Sequence, residues 1–390
     1  MSDLPKLYIF NADNDLALAS GQEFYTPPVA AQRIVRDFAL LPVWWAADGS
    51  YILADNAPTD HIEWCNDIAE KLGKHVTVVN WRRLPRIVAE VEPWGWNQAL
   101  LRKLSRFQGL RLPSPEVVAT IRQLSHRRIS IELLKAFAAR CESIGAAAEN
   151  FKPCHLPIEL SDFEEVVDRV ATHRGCFVKS PWSNSGRGVM QPFDSSQPTF
   201  QHWLRGALRT QGSALIEDSL EGVQDFALEF RLDGGKARFE GYSVFSNDSR
   251  HSFASSIVAP AAQLRSLIAS YCDADLLVEV TTRVLEEVIG PRYDGCLGID
   301  MLAYSEGGRT SIHPCVELNL RRTMGHLTAQ LGNALVADGE RAEFRIEFSD
   351  SGFTDKVSAD DGIMLTPPSA DAHYRALLAG QNVLSKAYRR

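Results

Sequence analysis

Two segments of the 390-residue sequence carry side chains suited to polyphosphate and cation chemistry. The first runs Phe177-Val178-Lys179-Ser180-Pro181-Trp182-Ser183-Asn184-Ser185-Gly186-Arg187-Gly188-Val189. An apolar run ends in Lys179 and passes into a loop where Ser183, Ser185, Gly186 and Gly188 offer hydroxyls and unhindered backbone N–H groups, the equipment for wrapping phosphate oxygens, and Arg187 adds charge. It is neither a GxxxxGK[ST] loop nor a GxGxxG after a first strand, and on its own it is equally well a surface hairpin loop that holds a lysine. The second segment is His313-Pro314-Cys315-Val316-Glu317-Leu318-Asn319-Leu320-Arg321-Arg322. In a strand, side chains at i, i+2 and i+4 share a face, so Glu317, Asn319 and Arg321 project together while Val316, Leu318 and Leu320 pack behind them. Upstream, Asp300 interrupts an apolar strand over 297–303, and a carboxylate there is costly unless a cation or donor meets it. Two carboxylates and one amide oxygen suit a hard cation such as Mg²⁺, which fills its octahedron with phosphate oxygens and water. The competing reading, an amphipathic edge strand with a surface salt bridge, weakens once Lys179 and the Gly/Ser loop stand in the same chain.

The elements that must position these residues follow from periodicity. Strand-like runs at 7–10, 51–53 and 76–79 alternate with helical spacing over 29–41, opened by Pro28, and over 62–72, which predicts a parallel α/β sheet in the first hundred or so residues. Between the first strand and first helix, Asn-Ala-Asp-Asn-Asp at 11–15 favours a turn held by side-chain to backbone hydrogen bonds. Pro113 and Pro115 cannot continue a helix and mark a boundary. Beyond it, 117–124 and 129–141 are predicted helices, and Ser161 with Glu164 forms a capping-box signature before Val166, Val167 and Val170. Strands are predicted at 176–179, 214–217, 226–232, 237–245, 297–304 and 312–318, with a helix over 275–289, which makes a mixed, partly antiparallel second sheet. From about Arg345 the chain is polar and loop-like until 370–386, which suits a terminal helix.

Length and a composition of 45% hydrophobic and 23% charged residues fit a soluble protein of two to three domains. With 41 Lys and Arg against 49 Asp and Glu, a net charge of −8 provides no global basic field for nucleic acid or anionic lipid, so an anionic ligand must be met locally. Cys65, Cys141, Cys154, Cys176, Cys272, Cys296 and Cys315 are odd in number and scattered, with no CxxC pair, as expected of reduced cytosolic thiols. No basic leader and no apolar run near eighteen residues is present, so a cytoplasmic location is expected and no membrane partner. Trp44 with Trp45, and Trp94 with Trp96, are more often core than a stacking platform.

In their order these motifs resemble the ATP-grasp superfamily: the Lys-bearing strand, the Gly/Ser loop, a strand ending in Glu217, an acid at Asp225 after Gly222, then Asp300 and the Glu-x-Asn-x-Arg strand, together covering about 129–326. The resemblance implies an α/β and α+β protein, with an N-terminal parallel α/β domain over 1–115 of the kind that precedes the grasp. A two-lobed grasp fold with mixed or antiparallel sheets would follow (116–213 and 214–345), then a C-terminal extension over 346–390. It implies that Lys179 contacts ATP phosphates, that Ser183, Ser185, Gly186, Gly188 and Val189 close over them, and that Glu217 lies at the hinge by the adenine and Asp225 at the ribose. Asp300, Glu317 and Asn319 would hold Mg²⁺, or Mn²⁺ in its place, and Arg321, with Lys179 and Arg187, would face the transferring phosphate. The sequence departs from the pattern where the family has an earlier lysine: here stand His126, Arg127 and Arg128, and Arg128 is assigned the role. Asp225 replaces the more usual Glu, with a shorter reach. Asn11, Asp13 and Asn14 in the N-terminal loop, and Arg322 and His326 past the metal strand, are candidate substrate contacts. The implied activity is a Mg-ATP-dependent ligase that joins a small carboxylate to an amine through an acyl phosphate, releasing ADP and phosphate. The alternatives are a phosphotransferase on the same scaffold and a non-catalytic nucleotide-binding sensor. A homo-oligomer is compatible with the sequence, which holds no readable code for the acyl or amine pocket.

Overall fold

A computed structural model describes residues 4–173, 175–183, 188–248, 253–353 and 362–380. The N-terminal region forms a five-stranded parallel sheet from β1 (Lys6–Ile9), β2 (Ser50–Leu53), β3 (Val76–Val79), β4 (Ala89–Pro93) and β5 (Leu110–Arg111), in the order β3-β2-β1-β4-β5. β1 is buried on both faces: Leu7 and Ile9 enter one core cluster, Tyr8 and Phe10 another, as period-two alternation requires. β4 escapes a sequence reading because Glu90, Glu92 and Pro93 mask the alternating Ala89 and Val91, which alone face the core. Strand order reverses about β1, so the turn after it opens at the carboxyl edge of the sheet, where doubly wound folds place ligands. That turn is not loop throughout: α1 (Asn14–Ser20) starts inside it. α2 (Val29–Asp37) stops short of the predicted 41, and Leu41–Trp44 winds into a 3₁₀ turn around Pro42.

A four-stranded antiparallel sheet follows, with β6 (Ile158–Leu160), β7 (Cys176–Lys179), β8 (Val189–Met190) and β9 (Ala214–Asp218) in the order β6-β9-β7-β8. Val166, Val170, Phe200 and Leu204, from the helices Phe163–Thr172 and Pro198–Gln211, cover it. The first of these helices is capped by Asp162, whose Oδ1 accepts from the backbone N–H groups of Glu164 and Glu165 at 2.9 and 3.0 Å, and not by Ser161 as the capping-box spacing predicted.

The third sheet has eight strands: β10 (Glu221–Asp233), β11 (Lys236–Asn247), β12 (Phe253–Val258), β13 (Gly295–Glu306), β14 (Arg309–Asn319), β15 (Ala342–Phe348), β16 (Ile363–Met364) and β17 (Tyr374–Ala379). Their order is β14-β13-β10-β11-β12-β15-β17-β16, and every pairing is antiparallel. The helices Ile129–Ile144 and Ala274–Val288 pack Leu133, Phe137, Leu277 and Val284 onto Phe226, Leu228 and Phe230. The predicted polar stretch and terminal helix after Arg345 are replaced by strands. Phe344, Ala376 and Leu378 are fully buried, and Phe344 pairs with Leu378 across β15 and β17. The apolar residues there alternate with a partner strand instead of following a helical face, and only that long-range pairing decides between the two. Residues 381–386 of the predicted helix lie outside the described residues.

Candidate functional site

The three sheets enclose a cavity of about 570 Å³. Its floor is the β13–β14 pair, in which Asp300 stands directly opposite Glu317 and Gly298 opposite Asn319. Two carboxylates on neighbouring strands therefore share one point. Burial first, and then the charges of Glu317 and Glu229, push the Asp300 carboxyl well above the usual carboxylate range. Asn319 donates its Nδ2 to Asp300 Oδ2 at 3.1 Å, and its Oδ1 accepts from Arg321 Nη2 at 2.8 Å.

Three cations line this cavity. Lys179, at the end of β7, forms an ion pair with Glu217 on β9; both side chains are nearly buried, and antiparallel pairing sets them diagonally on one face. Arg127 precedes the helix Ile129–Ile144 and is itself buried. Its Nη2 donates to Glu317 Oε1 at 2.8 Å, while Nη1 donates to Ser183 Oγ at 2.6 Å and to the Ser180 carbonyl at 2.9 Å. Arg321 reaches the other way, to Asp15 in α1, with Nε 2.9 Å from both carboxylate oxygens and Nη2 2.8 Å from Oδ2. Burial opposes the Arg321 charge, but Asp15 more than restores it, and its pKa is raised above the ordinary value.

Beyond Asp300 the cavity continues to a polar end lined by Glu229, Ser243, Ser256 and Thr323. Glu229 is 1% exposed; its Oε2 accepts from Thr323 Oγ1 at 2.8 Å and lies 2.9 Å from His326 Nδ1, while Oε1 has no hydrogen-bond partner among the described residues. The Ser256 hydroxyl is buried and likewise unpartnered. Gly325 makes room for this carboxylate, because a Cβ there would lie 1.8 Å from Glu229 Oε1. Such a pair of unmet groups presents a hydrogen-bond acceptor and a hydroxyl to whatever enters.

No protein-family model matches the sequence, and no curated protein matches it. Solved structures do, over nearly the whole chain. The biotin carboxylase domain of the Hydrogenobacter thermophilus 2-oxoglutarate carboxylase, solved with MgADP, ADP and bicarbonate, is 12% identical over 98% of this chain and 87% of that one, with a TM-score of 0.55. Biotin carboxylase from Campylobacter jejuni, in a β-γ-ATP complex, is 12% identical over 97% and 88%, with a TM-score of 0.53. N5-carboxyaminoimidazole synthetase from Staphylococcus aureus, complexed with ADP, is 10% identical over 98% and 94%, with a TM-score of 0.53. These are ATP-grasp proteins. This chain has the ATP-grasp fold. At such identity the likeness carries the architecture and leaves the chemistry to the residues.

Within the ATP-grasp cavity the structure gathers Lys179, Ser183, Val189, Asp225, Asp300, Glu317, Asn319 and Arg321, and places Glu217 behind Lys179. Asp225 accepts from Asn247 Nδ2 at 3.1 Å. Gly188 holds the backbone tight against Ser180, whose N–H donates to its carbonyl at 2.8 Å. Ser185, Gly186 and Arg187 lie outside the described residues. Arg128 does not take the assigned position: it turns to His126 and to Glu159, 2.8 Å away, and its half-exposed side chain leaves the cavity to Arg127. Asn11 and Asn14 serve the fold, bonding Gly95 and Asn97, and Asp13 stands at the N-cap position of α1 without a side-chain capping bond; none of the three lines the cavity. Asp15, one residue on, does. Arg322 and His326 also turn inward. Arg322 donates to Glu92 at 3.2 Å, and His326 backs Glu229 from the first turn of the helix Met324–Leu335. Glu229, Ser243 and Ser256 are unannounced in the sequence except by one signal: Glu229 interrupts the apolar strand β10 just as Asp300 interrupts β13. Trp44 and Trp94 are buried, as expected of core residues.

Proposed function

We propose that this chain is a Mg-ATP-dependent ligase that activates a small carboxylate as an acyl phosphate and passes it to an amine, with release of ADP and phosphate. The observation that carries this reading is that Lys179, Arg127 and Arg321 line one cavity with the Asp300–Glu317 pair, Arg127 bonded to Glu317 directly, with open volume continuing to the Glu229 end. The fold supports nucleotide binding, since similar structures were solved with ADP, MgADP and an ATP complex.

The donor set fits the cation. Asp300 and Glu317 offer hard oxygen ligands at a point where burial first, and then the neighbouring carboxylates, raise the Asp300 pKa, and a divalent ion supplies the missing charge. Asn319 would add its amide oxygen by sharing it with Arg321. Mg²⁺, when bound, neutralises phosphate charge and orients the transferring group.

The chain's own residues do the rest. Lys179 neutralises phosphate oxygens from the small sheet, and Arg127 links the loop at Ser183 to Glu317, so loop and floor are positioned together. Arg321, held by Asp15, faces the carboxylate that attacks the γ-phosphorus. The Glu229 carboxylate and the unpartnered Ser256 hydroxyl at the far end suit the N–H groups of an amine nucleophile.

The test is nucleotide turnover with Mg-ATP and pooled small carboxylates, amines and amino acids, with ADP resolved from AMP and Glu317→Ala as control. ADP release that depends on the pool, vanishes in the variant and yields a hydroxamate on trapping with hydroxylamine is expected. AMP release overturns the mechanism, and a stable phosphorylated product in place of the hydroxamate assigns a phosphotransferase.

A further inference from the structure

Away from the nucleotide cavity, three side chains from distant parts of the chain meet at the junction of the small and large sheets. Cys154 and His155 lie in the segment before β6, and Glu306 ends β13. Their donor atoms, a thiol sulfur, an imidazole nitrogen and a carboxylate oxygen, all lie within 4.8 Å of one another. We propose that they form a binding site for a thiophilic divalent cation of the Zn²⁺ class.

The imidazole is already oriented for that role. His155 Nδ1 lies 2.5 Å from Asp218 Oδ2, at the end of β9. Asp218 is fixed in turn by His173, whose Nε2 is 2.6 Å from Oδ1. With its Nδ1 proton on Asp218, the ring presents the lone pair of Nε2 inward, and Nε2 is buried with no hydrogen-bond partner. A carboxylate backing a histidine in this way fixes the tautomer of metal-ligating imidazoles. Glu306 Oε1 stands 3.4 Å from Nε2. Two lone pairs facing each other repel unless a cation lies between them, and a tetrahedral ion with bonds of about 2.0–2.1 Å to nitrogen and oxygen holds those atoms about 3.4 Å apart. The Tyr304 hydroxyl lies 3.2 Å from Cys154 Sγ, placed to donate to a thiolate.

The ligand types choose the ion. One sulfur, one nitrogen and one oxygen favour Zn²⁺ over Mg²⁺ or Ca²⁺, which take oxygen alone. Cys154 and Glu306 are exposed, so solvent fills the remaining position. Sequence spacing hides the site, because Cys154 and His155 are adjacent and Glu306 stands on another sheet. An ion here ties the loop before β6 to β13, with Asp218 of β9 braced behind it, at the junction across which the small sheet meets the large one.

The test uses the full-length protein, stripped with a chelator and reloaded with Co²⁺ in excess Mg²⁺, so that the oxygen-rich Asp300–Glu317 floor does not compete. One equivalent of Co²⁺ per chain is expected, with a thiolate-to-cobalt charge-transfer band and intense tetrahedral d–d bands that Zn²⁺ displaces. Cys154→Ser should erase the charge-transfer band, and Asp218→Asn should weaken affinity by about 10–100-fold, with circular dichroism confirming that both variants are folded. No retained Co²⁺ in folded wild-type protein, or a spectrum unchanged by Cys154→Ser, overturns the proposal and leaves His155 as a structural contact between Asp218 and Glu306.

Discussion

Arg321 clasps both oxygens of Asp15 at 2.8–2.9 Å, joining residues 306 positions apart in the chain. The contact ties the first sheet's carboxyl edge to the end of β14, so the N-terminal unit sets where a cation of the cavity stands. Asp15→Asn keeps the shape and removes the charge. We expect it to lower unfolding free energy by about 1.5–3 kcal/mol and ADP formation at least roughly tenfold. Chemical denaturation and nucleotide turnover measure the two effects, and unchanged turnover would detach Arg321 from the chemistry.

Arg127 and Arg128 are neighbours with opposite duties. Arg127→Ala removes the bridge from Ser183 to Glu317 and should weaken nucleotide binding roughly tenfold, about 1.4 kcal/mol. Arg128 keeps a half-exposed pair with Glu159, so Arg128→Ala should stay within roughly twofold of wild type. Nucleotide titration of both variants checks the contrast, and the reverse ranking would restore Arg128 to the site.

Gly325 is held by space. Gly325→Ala drives a methyl group into Glu229 Oε1 and to 2.9 Å from the Ser243 Cβ, and overpacking of this kind costs about 1–3 kcal/mol. Gly206, inside the helix Pro198–Gln211, meets nothing within 4 Å, and Gly206→Ala should stabilise by about 0.5–1 kcal/mol. Denaturation midpoints of opposite sign are expected. A stabilised Gly325→Ala would mean that the Glu229 end relaxes easily.

Acid should release the contact between β4 and the large sheet. Burial opposes the charge of Glu92, but Arg231, Lys6 and Arg322 hold its pKa down to about 2 from an ordinary 4.5. The unfolded chain therefore takes up the proton first as pH falls. The contribution, about 3 kcal/mol, is fully present above about pH 4.5 and is lost as pH falls toward 2. Unfolding free energy followed against pH should show a gap between wild type and Glu92→Gln that closes over that window, and a gap independent of pH would contradict it.

Much of this arrangement was legible from local pattern. The 76–79 strand is β3 residue for residue, the 176–179 strand is β7, and Glu317 and Asn319 of β14, with Arg321 just past its end, line the cavity as the alternation expects, although Val316, expected behind them, lines it too. What was not legible depends on partners far away. Arg127 and Arg128 stand in a turn, where no period says which side chain faces in. Asp15 is one of several acidic and amide residues in its cluster, and only the position of Arg321 selects it. Residues 374–379 are strand because β15 lies beside them, a fact absent from their own composition.

β17 lies between β15 and β16, and its Ala376 and Leu378 seal the core that Phe10, Phe38 and Trp44 begin. Asp37 Oδ2 waits for the N–H groups of His373 and Tyr374, and the Trp44 indole N–H for the Leu365 carbonyl. During translation the first sheet emerges with that seam open and stays so until residues 374–379 have been made. A nascent chain halted before residue 374 should accordingly be cut by protease around Trp44, and one halted well beyond 379 should resist. The ribosome thus acts as a timer, handing over an unsealed protein whose exposure to chaperones is set by distance along the message.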